Sequence, residues 1–442
     1  MKKRTSSEVI DSINERQSVG CEVADSHDGS ASRDVLSEVL REGAQKLLAD
    51  AIQLEVVEYL RQRSHLLDDK GHRLVVRNGS LPEREILTGL GPISVQQPRV
   101  RDNRPVSERE EFNSSLLPKY LRKTKAIEEM IPWLYLKGIS TGGFQEALQS
   151  LLGPDCPGLS ASTVNRLTAV WQQEYEEWAK RDLSGTHYVF IWADGIYCNI
   201  RLEDDCQCLL VLMGATPDGT KELIAVRDGY RESELSWKEL LLDLKARGLV
   251  IAPQLATGDG ALGFWKALRQ VFPTTREQRC TVHKTANVLD KLPKSVQPQA
   301  KRMLHAIWDA PSRKQGEAAF DLFIKTFEGK YLKAVDCLRG DRKELLAFYD
   351  FPAETWCHIR TTNPIESTFA TIRLRHKKTK GNGSARASLA MMFKLAQSAA
   401  KGWRKLRGHK LIPDLIRGIR FIDGIDERTL KLSNQTLTDS VA

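Results

Sequence analysis

Near residue 186 the spacing of apolar residues changes character, and this change limits the possible folds more than any other feature of the chain. HYVFIWADGIYCNIRL, from His187 to Leu202, reads as a buried strand, a turn at Gly195 and a second strand. CQCLLVLMGATPDGTKELIAVRDG adds two strand-like runs about a turn at Pro217, Asp218 and Gly219. ESELSWKELLLDLKARG then carries apolar residues at helical spacing and ends at Gly248; LVIAPQLATGDG is another apolar strand, and ALGFWKALRQVF another helix. REQRCTVHK can supply a further short strand. Meandering strands followed by helix, strand and helix predict an α/β fold: a mixed sheet with helices on its faces.

That order of elements is the order of a ribonuclease-H-like core. Two acids stand out by position within it. Asp194, in IWADG, sits where the first strand meets its turn, and Asp259, in LATGDG, ends the fourth strand. Ends of strands are where open α/β sheets place their chemistry. Each aspartate precedes a glycine, which lets the backbone turn sharply or approach a ligand closely. A third acid, Glu366, lies in RTTNPIESTFATIRLRHKKTKG, ahead of a cluster of basic residues. In a helix, Glu366, Ala370, Arg373 and Lys377 share one face. A lone carboxylate on a cationic stripe points to an internal salt bridge or to a site that handles phosphates. The chain has 57 acids, so three carboxylates mean nothing by number alone.

Charge supports the phosphate reading. The formal net charge of the 442 residues is +9, but from Arg360 to Arg420 there are 15 Lys and Arg against two acids, Glu366 and Asp414. That segment carries +13 and the remainder −4, an imbalance expected of a surface that attracts a polyanion.

Upstream, residues 1–34 are polar and read as a loose, disordered terminus. Residues 35–122 read as a helix followed by a small hairpin. The helix has Val35, Val39, Leu40, Leu47, Leu48, Ile52 and Val56 on its apolar face, and the hairpin turns at Gly89 and Gly91. Residues 123–185 read as three helices, the last capped by Ser160 or Ser162 and bearing Asn165 and Arg166. They fit a helix-turn-helix DNA reader or a plain helical bundle equally well. The further boundaries are 186–283 for the first part of the core, 284–355 for a helical interruption, 356–405 for its last part and 406–442 for a basic tail. Eight cysteines share no repeating frame, which argues against a disulfide scaffold. No apolar leader follows the basic start, and no run is long enough to span a membrane, so a cytoplasmic location is expected.

DG after one buried strand, GDGALGF after another, QRCTVHKTANVLDKL next and TTNPIE before a basic helix follow one another in a fixed order. With RNG at Arg77–Gly79, PRVRD at Pro98–Asp102 and LKGIST at Leu136–Thr141, the series resembles the mutator-type transposases of bacterial insertion sequences, a family of DDE recombinases. The resemblance runs from about residue 35 to about residue 405. It implies a catalytic triad at Asp194, Asp259 and Glu366, a Cys and His pair at Cys280 and His283, and an all-helical insertion before the glutamate. One position departs from the pattern: Phe369 stands where many members have Asn.

Such an enzyme cuts a DNA strand at the element's terminal inverted repeats and joins the end to target DNA. Two Mg²⁺ or Mn²⁺ ions roughly 3.5 to 4 Å apart suit that displacement at phosphorus. Asp194 is expected to bridge both ions, with Asp259 and Glu366 completing one each. Arg360, Thr361, Thr362, Asn363, Arg373, Arg375, Lys377 and Lys378 are expected to hold DNA over the site, and Arg166 to contact it elsewhere. Two bound ends imply a homodimer or larger assembly. A related nuclease that cuts without joining, or a silent DNA-binding descendant, would share much of this sequence. Cys280 and His283 supply only two of the four ligands that structural zinc needs, so the pair is read as shaping the core near the acids. Trp237 matches a family position and also fits a buried helix face.

Overall fold

The computed structural model describes residues 35–136, 139, 143–152, 156, 161–198, 207–229, 231–260, 262–367 and 384–431. They divide into two compact units, one ending at Leu167 and one beginning at Thr168.

In the first unit, helix α1 (Val35–Gln62) precedes strands β1 (Val75–Ser80), β2 (Arg84–Thr88), β3 (Gly91–Val95) and β4 (Pro98–Asp102). β2 and β3 form the expected hairpin, closing at Thr88 opposite Gly91, whose φ of +98° suits glycine. β1 also pairs antiparallel with β4, a ladder hidden by the polar sequence of β1. Ile52 of α1 packs with Ile86, Ile93, Val95 and Leu117. The apolar face expected of α1 is only partly used. Ile52 and Val56 are buried and Leu48 is partly covered, whereas Val35, Val39, Leu40 and Leu47 are exposed. Next come α2 (Lys125–Leu136), α3 (Gly143–Leu152) and α4 (Ala161–Ala179), which runs on into the second unit. Ile127 and Ile131 of α2 meet Phe144 and Leu148 of α3.

The second unit is mixed α/β. Its sheet has five strands, β5 (Phe190–Cys198), β6 (Gln207–Ala215), β7 (Lys221–Gly229), β8 (Leu255–Gly258) and β9 (Arg276–Arg279), in the order β7-β6-β5-β8-β9. β5, β6 and β7 pair antiparallel, while β8 and β9 continue parallel to β5. The expected turn at Gly195 does not occur. β5 runs straight through it, with Asp194 opposite Val211 and Gly195 opposite Leu210, so Asp194 lies within a strand and not at its end.

Alternate residues of β5, Ile191 and Ala193, face a core shared with α5 (Glu234–Ala246) and α6 (Leu262–Val271). Ser233 caps α5 by accepting from the Ser236 N–H. Trp237 is 1% exposed, with its ring edge-on to Phe264 at 5.0 Å. Its place is in this core. Burying side chains of this size stabilises the unit by about 1.5–3 kcal/mol each.

From Thr281 to Ile359 the chain forms only helices and turns. These helices are α7 (Thr281–Leu289), α8 (Gln297–Trp308), α9 (Arg313–Phe327), α10 (Leu332–Arg339), α11 (Arg342–Leu345) and α12 (Trp356–Ile359). A further helix, α13, is described over 363–367, and α14 covers Ala385–Ala400. The chain beyond Lys405 is no loose tail as far as Lys431. Leu406, Ile412, Leu415 and Phe421 are buried, and Gly424 exchanges backbone hydrogen bonds with Tyr349 and Ala353 at 3.1 Å each. Arg417 and Arg428 are paired with Asp414, and Arg428 also with Asp426, which quenches much of this segment's expected positive charge. Cys156, Cys208, Cys280, Cys337 and Cys357 form no disulfide, and among the described residues no helix is long and apolar enough to cross a membrane.

Candidate active site

β8 stops at Gly258, which pairs with Ala193, so among the described residues the ladder on that side of β5 ends before Asp194. Asp259 follows directly. Its turn is pinned from below: the Asp259 carbonyl accepts from the Trp265 indole at 3.0 Å and from the Arg279 guanidinium at 2.5 Å. At the end of β9, the Cys280 N–H donates to the Gly258 carbonyl at 2.8 Å, and Cys280 then opens α7, placing His283 on its first turn.

Glu366 is remote in sequence and is brought in by a stitched segment. Three carbonyls in succession are held from different strand ends and from α7. His358 accepts from the Trp192 indole at 3.0 Å, Ile359 from the Thr257 hydroxyl at 2.5 Å, and Arg360 from the Thr281 N–H at 3.0 Å and its hydroxyl at 3.1 Å. Thr362 then ends the segment and starts α13, its carbonyl accepting from the Ile365 and Glu366 N–H groups. Pro364, which has no N–H to satisfy, sits well in that first turn.

The Thr362 side chain links the cluster. Its one hydroxyl hydrogen goes to its shortest partner, Glu366 Oε1 at 2.8 Å. His283 Nδ1, at 3.3 Å, is then placed to donate to the Thr362 oxygen, and Cys280 Sγ accepts from the Thr362 N–H at 3.4 Å. His283 Nε2 also lies 3.7 Å from Glu366 Oε1. Donor atoms of Cys280, His283 and Glu366 all fall within 4.8 Å of one another. The Cys and His pair thus abuts the third acid, giving three candidate ligands among the described residues where structural zinc takes four.

The electrostatics tie the acids together. Asp194 is 7% exposed. Burial, followed by the charge of Asp259, pushes its carboxyl up to about 7; Glu366 and Glu232 push the same way, and His283 opposes them. Glu232, just before the cap of α5, is also raised to about 7, by burial and then by Asp259. For His283, burial acts to lower the imidazole. The hydrogen bond and charge of Cys280 outweigh it, with help from Glu366 and Asp194, and hold it up to about 10. Acid groups thus raise one another here, and His283 opposes them. Oxygen donors of this kind suit hard divalent ions such as Mg²⁺ or Mn²⁺.

The sequence model of the Mutator family of transposases matches residues 17–405. The chain belongs to the Mutator family of transposases. It is 51% identical over 298 residues to the transposase for insertion sequence element IS6120 of Mycolicibacterium smegmatis, an overlap of 67% of this chain and 92% of that relative. To the transposase for insertion sequence element IST2 of Acidithiobacillus ferrooxidans it is 49% identical over 295 residues, 67% of this chain and 98% of that one. The protein is accordingly an insertion-sequence transposase, a DDE-type enzyme of DNA cleavage and strand transfer. Among solved structures, the Drosophila P element transposase strand transfer complex overlaps 66% of this chain and 91% of that one at 10% identity. Its TM-score of 0.25 is too low to bear on the fold.

Several residues expected to hold DNA in this transposase have other work. Arg360 donates to the Trp308 carbonyl at 2.5 Å and pairs with Asp309 at 3.1 Å. Thr361 is buried and Thr362 has no exposed surface, so the Thr362 hydroxyl organises Glu366 and has no face open to a phosphate. Asn363 is exposed, as is Arg166 on α4. Arg373, Arg375, Lys377 and Lys378 lie outside the described residues. Sequence reasoning missed Glu232 altogether. Its only signal was an acid one residue ahead of a Ser-capped helix.

Proposed function

We propose that Asp194, Asp259 and Glu366 are the catalytic acids of this transposase and hold two Mg²⁺ or Mn²⁺ ions on a ribonuclease-H-like core. The observation that carries this reading is the register that pairs Ala193 with Gly258, so that Asp194 and Asp259 follow side by side, with Cys280 bonded to Gly258 and grouped with Glu366. The strand order β7-β6-β5-β8-β9, with its first three strands antiparallel and the rest parallel, supports the core assignment. Bound divalent ions would stabilise charge on the entering and leaving oxygens of the phosphodiester. The chain's own groups set the stage for that step. Thr362 fixes the Glu366 carboxylate, the pinned turn fixes Asp259, and His283 balances part of the negative charge.

In the same reading the DNA bound is the element's terminal inverted repeats and then the target. Helices within 123–185 serve as the end-reading region, with Arg166 at the DNA, and 284–355 forms an insertion in the core. Arg373, Arg375, Lys377 and Lys378 grip phosphates, two copies pair to bring two ends together, and the work is done at the bacterial nucleoid. Labelled element-end DNA with Mg²⁺ tests the proposal. Asp194→Asn, Asp259→Asn and Glu366→Gln should each lose cleavage and joining while shifting the DNA as the parent does. Wild-type cleavage by any of the three, or loss of DNA binding in all of them, would contradict it.

A further inference from the structure

Cys280 and His283 at the start of α7 and Glu366 on α13 bring a sulfur, an imidazole and a carboxylate to one place, with donor atoms all within 4.8 Å of one another. Only Glu366 among them serves the hard ions proposed for the acids. The Thr362 oxygen stands among the three, 2.8 Å from Glu366 Oε1, 3.3 Å from His283 Nδ1 and 3.3 Å from Cys280 Sγ. Two donors on one tetrahedral zinc stand about 3.3 to 3.6 Å apart. His283 Nε2 and Glu366 Oε1 are already at 3.7 Å, and no pair in the group has more than about 1.5 Å to close. The donor set is selective as well. Sulfur and imidazole favour zinc over magnesium, whereas Asp194 and Asp259 offer only oxygen. Cys280 is 1% exposed, while the His283 and Glu366 side chains keep 22% and 20% of their surface, so an ion reaches the sulfur from their side. Three protein ligands leave a fourth position to water, unlike the closed shell of a structural site.

We infer that Cys280, His283 and Glu366 form a second metal site, for a borderline-soft divalent ion such as Zn²⁺, and that an ion bound there draws Glu366 away from the hard ions and so switches the transposase off. The inhibition rests on the proposal that Glu366 holds Mg²⁺ or Mn²⁺; the site itself rests on the three donors alone. The bound ion takes over the linking role that the Thr362 hydroxyl has without it.

The probe is Co²⁺, which takes zinc sites and has a ligand-dependent spectrum, added to the full-length protein without DNA in excess Mg²⁺. The parent should show the visible bands of tetrahedral Co²⁺ and a near-ultraviolet sulfur-to-metal band, all removed by Zn²⁺. Cys280→Ser should lose the sulfur band, and Cys357→Ser, at an exposed thiol on α12, should keep it. Glu366→Gln should weaken Co²⁺ at least about 10-fold, the lower end of the range for groups that merely support a metal, and it serves as the second variant if Cys280→Ser fails to fold. Electron paramagnetic resonance of free Mn²⁺ is the second readout. Saturating Zn²⁺ should raise the Mn²⁺ concentration for half-saturation about 10-fold in the parent and have no such effect in Cys280→Ser. A sulfur band that survives Cys280→Ser, or parental Co²⁺ affinity in Glu366→Gln, would overturn the site. A band lost as expected, with Mn²⁺ binding indifferent to Zn²⁺, would overturn the inhibition. Failure of the Zn²⁺-free parent to bind Mn²⁺ would overturn the hard-ion reading of the acids, on which the Co²⁺ band does not depend.

Discussion

Thr362 and Asp194 are the two residues at which local sequence and tertiary setting diverge most. TTN beside a basic run resembles a phosphate grip, yet the partners of Thr362 are Cys280 and His283, 82 and 79 positions upstream. Only the stitched segment 358–362 brings them together, and no local pattern encodes that meeting. Asp194 stood out in the sequence because IWADG reads as a strand meeting its turn, whereas in the structure it lies within β5 and is buried. Its setting has a pH consequence. Burial and Asp259 raise its carboxyl to about 7, above the value of about 3.9 for an unfolded chain. A carboxyl raised by folding favours the fold below the unfolded value, and that stability is lost as pH climbs through the folded one. Without metal, the melting temperature should therefore fall between about pH 4 and about pH 7, and Mg²⁺ or Asp194→Asn should flatten the fall. A metal-free melting temperature that rises over this range would show that Asp194 is not destabilised by its neighbours.

Among the elements, the sheet strands were readable from their apolar runs and the turn at Asp218–Gly219, and the helices after Gly229 from their spacing. Gly195 was misread because Asp-Gly is a turn signal in sequence. Its actual role, making room for Glu232, depends on a residue 37 positions later in the chain. The face of α1 was over-read because periodicity shows which residues align but not how much partner surface exists to cover them. The joint between sheet and helices was not visible at all. Lys284 of α7, 5% exposed, pairs with Asp341 and donates to the Cys337 carbonyl at 3.0 Å, while Arg279 at the end of β9 reaches the same Asp341 at 3.3 Å. Asp341→Ala would leave the Lys284 ammonium buried without its counter-charge, a change that costs about 3–5 kcal/mol. Urea unfolding should show that loss as a lower midpoint; a shift of less than about 1 kcal/mol would mean that the pair does not hold the joint.

At the scale of the whole molecule, the C-terminal segment changed most between sequence and structure. It was read as a basic tail, but it holds six Lys and Arg against five acids, its apolar residues are buried and its backbone bonds reach Tyr349 and Ala353. Ending the chain after Lys405 should therefore lower the melting temperature by several degrees or leave the protein insoluble, and an unchanged melting curve would show that the segment is dispensable. The functional claim concerns the whole molecule as well, since its three acids come from parts of the chain up to 172 residues apart. Anomalous diffraction from crystals grown with Mn²⁺ tests it most directly. The account predicts Mn²⁺ peaks bounded by the carboxylates of Asp194, Asp259 and Glu366. Peaks confined to Cys280 and His283, or no peak near Asp194 in crystals that bind Mn²⁺ elsewhere, would contradict it.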